Sequence, residues 1–346
     1  MNCRPHLGHA GQTGRQSSNT ASTVTPSVLR SMIALTFTLG CASSPAQDYP
    51  ARPVRIVAAT PPGGPVDLVA RLMAQKLSEV YGRPVVVENR AGAGGVVGAD
   101  YVAKSQPDGY TLLVASPATL CIAPAIQPKL PYDSIRDFAP ISITTIAAFM
   151  LVVHPSLPAK SVKELVALAR AKPGQLDYAS TGGGSFTHLS MELFNSIAKI
   201  KIVHVPYSGA APALVDLMSG RMQMLVNSVA TTQPHLKSGK LRGLAVTGAQ
   251  RSALMPELPT IAEAGVAGYE ATNWFGLAAR GGTPREIIAS LNSALARSMS
   301  TTETKQTMLS QGLEPVLTTP DNFAQIIQNE RTKWAKVVRD SGATVN

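Results

Sequence analysis

Paired cysteines and long apolar runs are missing from this 346-residue chain, histidines at metal-ligand spacing are missing after residue 46, and each absence removes a class of function. The three cysteines stand at positions 3, 41 and 121, which leaves no CxxC redox pair and no cysteine-rich zinc site. Histidines 154, 188, 204 and 235 include no H-x-x-x-H pair, and no G-x-S-x-G elbow is present. A hydrolase on a doubly wound sheet would therefore have to rely on a pair such as Ser185 and His188, three residues apart at a helix start. Aromatic residues are 5% of the chain, and Lys and Arg are scattered without aromatic interleaving, which argues against nucleic acid as a partner. No stretch is long enough to span a bilayer.

What is present begins with a leader. Residues 1–31 hold Arg4, Arg15 and Arg30 with no acid, an apolar run follows from Met32 to Ala42, and Ser44-Pro-Ala46 offers small residues before Gln47. This pattern predicts a signal peptide over residues 1–46 and export to the periplasm. A lipid-attachment box at Cys41 is disfavoured, because Thr38 stands where an aliphatic residue is wanted. The formal charge of +10, less the three leader arginines, leaves a mildly basic +7 for the exported chain, a balance that suits anionic solutes. Cys3 and Cys41 go with the leader, and Cys121 is left as a packed core thiol.

The remaining residues alternate between strand-like and helix-like patterns. Strands are expected over Val54 to Ala59, Pro84 to Glu88 and Thr111 to Ala115, with a helix from Asp67 to Tyr81 capped by Asp67 and a second ending near Ala103. A second alternation starts at Leu151. It includes a capping box at Ser161-Val-Lys-Glu164, helices from His188 and Ala211, a short helix near Pro234, and strands at Lys201, Met222 and Leu241. Thr283 and Thr319 are expected to cap two C-terminal helices that cover the first sheet. The expected fold class is α/β, two doubly wound lobes joined by two crossovers: residues 48–149 plus 250–346 form one lobe, and 150–249 the other.

Two glycine-rich loops carry the functional signal. Thr60-Pro-Pro-Gly-Gly-Pro-Val-Asp67 and Thr181-Gly-Gly-Gly-Ser-Phe-Thr-His188 each follow a strand and open a helix. A helix start carries unpaired N–H groups and about half a positive charge, so two of them facing one cavity match roughly one carboxylate without Lys or Arg. Candidate ligand contacts are Pro62, Gly63, Gly64, Pro65, Asp67, Ser116, Thr181, Gly182, Gly183, Ser185, Thr187, His188, Tyr207 and Asn227. Gly63 and Gly64 could instead simply end a strand. His188 either reaches the ligand or packs behind the loop, and Tyr207 and Trp274 fit core or hinge roles as well as ligand contact. The loop Gly92-Ala-Gly-Gly-Val-Val-Gly98 is a poor dinucleotide fingerprint, since its third glycine falls one place late and it follows the second strand.

The chain resembles the periplasmic substrate-binding proteins of tripartite tricarboxylate transporters, also called Bug receptors. The likeness lies in the order and spacing of Tyr49-Pro-Ala-Arg-Pro53, Pro62-Gly-Gly-Pro-Val-Asp67, Asn89-Arg-Ala-Gly-Ala-Gly-Gly95, Pro107-Asp-Gly-Tyr-Thr111, Tyr178-Ala-Ser-Thr-Gly182, Val205-Pro-Tyr-Ser-Gly209, Gly239 to Val246, Pro259 to Gly265 and Trp274-Phe-Gly276. The resemblance implies a type II periplasmic binding-protein fold that closes on a small carboxylate, with no enzymatic activity and no cofactor. It also implies membrane transporter subunits as partners of a monomeric receptor; a sensor subunit for a membrane kinase is the rival role. Family members often carry an acid where Asn227 stands and Asn where Ala123 stands. Their loss here leaves a ligand ammonium without a counterion and favours a dicarboxylate or aromatic carboxylate over an amino acid.

Overall fold

Two separate sheets organise the chain, and the chain passes between them twice. The computed structural model describes residues 49–127 and 129–344, so the expected leader lies outside the described residues. The first sheet starts with β1 (Val54–Ala58), α1 (Pro65–Tyr81), β2 (Val85–Asn89), α2 (Val96–Ala103) and β3 (Thr111–Ala115). A widened helical turn, Ala118–Ile122, then runs into α3 (Ala123–Ile126) and β4 (Phe138–Ala147). With only Ala148 between, β5 (Phe149–Val153) enters the second sheet. There follow α4 (Val162–Ala171), β6 (Asp177–Ser180), α5 (Phe186–Ala198), β7 (Val203–Pro206), α6 (Ala210–Met218), β8 (Met224–Ser228), α7 (Val229–Lys237) and β9 (Arg242–Val246). The chain returns as β10 (Asn273–Arg280), α8 (Arg285–Met299), α9 (Thr302–Ser310), β11 (Leu313–Pro315) and α10 (Pro320–Ser341).

The strand orders are β11-β4-β10-β3-β1-β2 and β7-β6-β8-β5-β9. β1 pairs in parallel with β2 and β3, as β6 does with β7 and β8, which is the doubly wound part expected from the alternation. The strands at the crossovers run antiparallel: β10 between β3 and β4, and β5 between β8 and β9. β4, β10, β11 and α9 have no counterpart in the sequence expectations. β10 is buried along Trp274 to Ala279, so it lacks the period-2 alternation that marks a half-exposed strand.

Local chemistry explains the elements around the cleft. Pro65 occupies the first turn of α1, where its missing N–H costs nothing, and Gly82 ends the helix in a left-handed conformation with its N–H on the Ser78 carbonyl. The N-cap is Gly64, so the expected cap at Asp67 is displaced by three residues, and Leu68 of this helix is exposed. Ser185 caps α5 by accepting from the His188 N–H, and Thr319 caps α10 by accepting from Asn322. Thr283 does not cap α8, because Pro284 takes the N-cap place and the Thr283 hydroxyl donates to the Arg280 carbonyl at 2.7 Å.

Both faces of the first sheet are covered. Ile56 and Ala58 join Val69, Met73, Leu77, Leu291 and Leu295 on one side, and Val57 joins Val96, Val102, Phe323 and Trp334 on the other. The second cluster continues into the other sheet through Phe186, Leu189, Phe194 and Tyr178, so α10 and α5 share one apolar core. Among the described residues no helix is long and apolar enough to cross a membrane.

Candidate functional site

The carboxyl ends of β1, β3, β6 and β8 deliver four strand-to-helix turns to one cavity of about 330 Å³. Its wall includes Thr60, Pro65 and Val66 at the start of α1, Ser116 and Thr119 after β3, Thr181, Phe186 and Thr187 at the start of α5, and Asn227, Ser228 and Thr231 where β8 runs into α7. Ala210 adds the start of α6, and Phe149, Asn273 and Phe275 complete the lining. A second cavity of about 560 Å³ shares Ala59, Thr60, Gly94, Ala118, Thr181 and Phe186 with the first and extends past Gly92 to Gly95 and Gly182 to Ser185, so the two form one cleft. No Asp, Glu, Lys, Arg or His lines either part. The backbone N–H groups of Val66 and Asp67, and of Phe186 and Thr187, lie in first helical turns where no intrahelical acceptor exists. Together these features form a neutral cleft that offers backbone dipoles and hydroxyls to an anion.

Of the residues singled out from sequence, Pro65, Ser116, Thr181, Thr187 and Asn227 line the inner cavity, and Gly182, Gly183 and Ser185 the outer one. Thr187 Oγ1 accepts from the Thr181 N–H at 2.9 Å and lies 3.0 Å from both Thr181 Oγ1 and Ser185 Oγ. The Asn227 amide donates to Thr231 Oγ1 at 3.2 Å. Ala123, the second departure from the family pattern, borders the outer cavity.

Pro62, Gly63, Gly64, Asp67, His188 and Tyr207 stand outside the lining. The Asp67 carboxylate is buried and accepts from the Gly63 N–H at 3.0 Å, Arg71 Nε at 2.9 Å and Asn89 Nδ2 at 2.9 Å. The Arg71 bond, chiefly, holds its carboxyl down to about 2. Asp67 thus fixes the loop, with Gly63 in the left-handed region at φ +88°. His188 plays the same part for the second loop: its Nδ1 accepts the Gly184 N–H at 3.0 Å, while its ring stacks on His204 at 3.7 Å and 8°. Burial, then the neighbouring His204, push the His188 pKa down to about 4, so the ring is neutral and Nδ1 is free to accept. His204 is within 2.6 Å of Ser180 Oγ, which in turn bonds Gly182. The Tyr207 hydroxyl donates to Asp216 at 2.8 Å, away from the cleft. Trp274 is buried edge-on to Phe323, a core position.

Sequence reasoning missed Thr60, Thr119, Phe149, Ala210, Ser228, Thr231, Asn273 and Phe275. Thr60 opens the first glycine loop and was within reach; its Oγ1 is buried with no hydrogen-bond partner among the described residues. The strand-to-helix switch at Ser228 carried a second signal. Phe149, Asn273 and Phe275 lie on crossover strands and carry none.

Known proteins with this arrangement are receptors. The family described as the tripartite tricarboxylate transporter family receptor, TctC, matches residues 69–343. Protein BugT of Bordetella pertussis is 39% identical over 299 residues, covering 86% of this chain and 92% of that protein. Among solved structures, an R. palustris protein with adipate superposes with a TM-score of 0.74 at 38% identity, covering 86% of this chain and 99% of its own. MatC from Rhodopseudomonas palustris, with bound malate, gives 0.69 at 32% identity, covering 84% and 100%. The two-lobed α/β fold is that of these solute-binding proteins, the family is one of receptors and not of enzymes, and the chain belongs to the tripartite tricarboxylate transporter receptor family.

Proposed function

We propose that this chain is a periplasmic receptor that binds a small carboxylate between two lobes, residues 48–149 plus 250–346 and residues 150–249, and delivers it as a monomer to membrane subunits of a tripartite tricarboxylate-type transporter. A cleaved leader over residues 1–46 would bring it to the periplasm. The observation that carries the proposal is the neutral cleft into which the starts of α1, α5, α6 and α7 open together. Adipate in one relative and malate in another support a carboxylate as the ligand. In this assignment the first-turn N–H groups of α1 and α5 bind the carboxylate, Thr60, Ser116, Thr181, Thr187 and Asn227 surround it, and Asp67 and His188 hold the two loops in place. A hydrolytic role for Ser185 and His188 finds no geometric support. The Ser185 hydroxyl accepts from the His188 backbone N–H, and the His188 Nδ1 is taken by Gly184.

Thermal unfolding with and without adipate, malate, succinate, benzoate, citrate and glutamate tests the proposal. A ligand at a hundredfold excess over its Kd adds about 2.7 kcal/mol, a shift of several degrees. At least one carboxylate is expected to raise the midpoint, and a flat response to all six would refute the assignment.

A further inference from the structure

Granting that the cleft holds a carboxylate, we infer that its preferred ligand is an aromatic carboxylate, with Phe149, Phe186 and Phe275 receiving the ring. All three phenylalanines line the inner cavity. Phe149 and Phe186 meet edge to face at 5.3 Å, and Phe186 rests in turn on Trp334 at 6.0 Å, so the aromatic wall is braced from behind by α10. Phe275 projects from β10, a strand held between β3 and β4, and is 3% exposed.

Several polar side chains of the inner cavity satisfy one another, while those of Asn273 and Ser228 make no hydrogen bond among the described residues. Ser116 and Thr119 form a closed pair, in which the Ser116 N–H donates to Thr119 Oγ1 at 3.1 Å. Thr187 bonds Thr181 and Ser185, and Asn227 bonds Thr231. The lining hydroxyl left buried without a partner is Thr60 Oγ1, on the first cradle loop just ahead of α1. Free donors therefore stand at the helix starts, where a carboxylate belongs, and at Asn273 on β10. A hydroxyl or ammonium further along the ligand that does not reach Asn273, Ser228 or the Asn227 Oδ1 would have to break one of these side-chain pairs or remain unpaired against phenyl rings. A ring buries apolar surface there at no such cost, and a cavity of about 330 Å³ admits a single six-membered ring with its carboxylate.

The test is calorimetry with benzoate, phenylacetate, malate and glutamate on the wild type and on Phe149→Leu, a variant that keeps apolar volume and removes the ring. Phe149 is only half-buried, and the thermal midpoint of the ligand-free variant checks that it folds. Benzoate or phenylacetate is expected to bind the wild type at least tenfold more tightly than malate, and Phe149→Leu to narrow that ratio at least threefold. Malate or glutamate binding as tightly as both aromatic acids, or a ratio unchanged in Phe149→Leu, would overturn the inference while leaving the receptor assignment intact. No binding by any of the four would overturn it as well, and only a flat response to the wider carboxylate panel would remove the receptor assignment too.

Discussion

His188 has a lone pair on Nδ1 committed to the Gly184 N–H, and that contact exists only while the ring is neutral. In the unfolded chain the ring protonates near pH 6.5, but in the folded protein burial and the stacked His204 delay this to about 4. Between those values the unfolded state binds more protons than the folded one. The contribution of this residue is therefore complete above pH 6.5 and is lost as the pH falls towards 4, by roughly 3 kcal/mol for the whole shift. His204, also pushed down by burial, adds to the slope in the same direction. His188→Asn places an amide oxygen as the acceptor and removes the titration. Urea midpoints at pH 7.5, 6 and 5 should fall more steeply for the wild type than for the variant. Equal slopes would mean that the Gly184 contact does not depend on the protonation state of the ring.

Among the elements, α2 is held against β1 by a glycine. A Cβ on Gly98 would lie 2.8 Å from the Ala59 Cβ and 2.9 Å from both the Ala59 Cα and the Arg90 carbonyl oxygen, so backbone would have to move. Gly64, the N-cap of α1, has open space around it and an ordinary φ of −85°. Gly98→Ala is expected to cost about 1–3 kcal/mol through overpacking, and to weaken ligand binding because Ala59 and Thr60 line the cleft. Gly64→Ala should leave ligand-free stability within about 1 kcal/mol; denaturant titration of both variants checks the contrast. Both glycine loops were legible as strand-to-helix turns because strand, loop and helix start are contiguous there. The caps at Ser161 and Thr319 were legible for the same reason. Asp67 was read as a candidate ligand contact and His188 as either a ligand contact or packing behind the loop, since spacing reveals proximity to a loop and not which way a side chain turns. Phe149, Asn273 and Phe275 were illegible. They come together only because β5 and β10 are inserted antiparallel at the crossovers, a consequence of topology that no local pattern records.

At the scale of the molecule, the cleft is walled by both sheets, and the two walls differ in what they leave open. On the second sheet's side Thr181, Thr187 and Ser185 already bond one another, whereas on the first sheet's side Thr60 Oγ1 is buried and unpartnered among the described residues. A ligand can shift an open–closed equilibrium only by the difference in its contacts with the two states, and bridging both walls supplies that difference. Saturating the protein with a ligand found in the carboxylate panel should therefore reduce its radius of gyration in small-angle scattering. Thr60→Val isolates the contribution of the first wall. It removes an oxygen that has no protein partner, so ligand-free stability should stay the same or rise slightly, while affinity falls about five- to tenfold for the loss of one hydrogen bond worth about 1–1.5 kcal/mol. If the hydroxyl helps to draw the walls together, the scattering change in Thr60→Val reaches the wild-type value only at correspondingly higher ligand concentration. Unchanged affinity in Thr60→Val would place the ligand away from the first wall, and an unchanged radius of gyration at saturation in the wild type would refute closure itself.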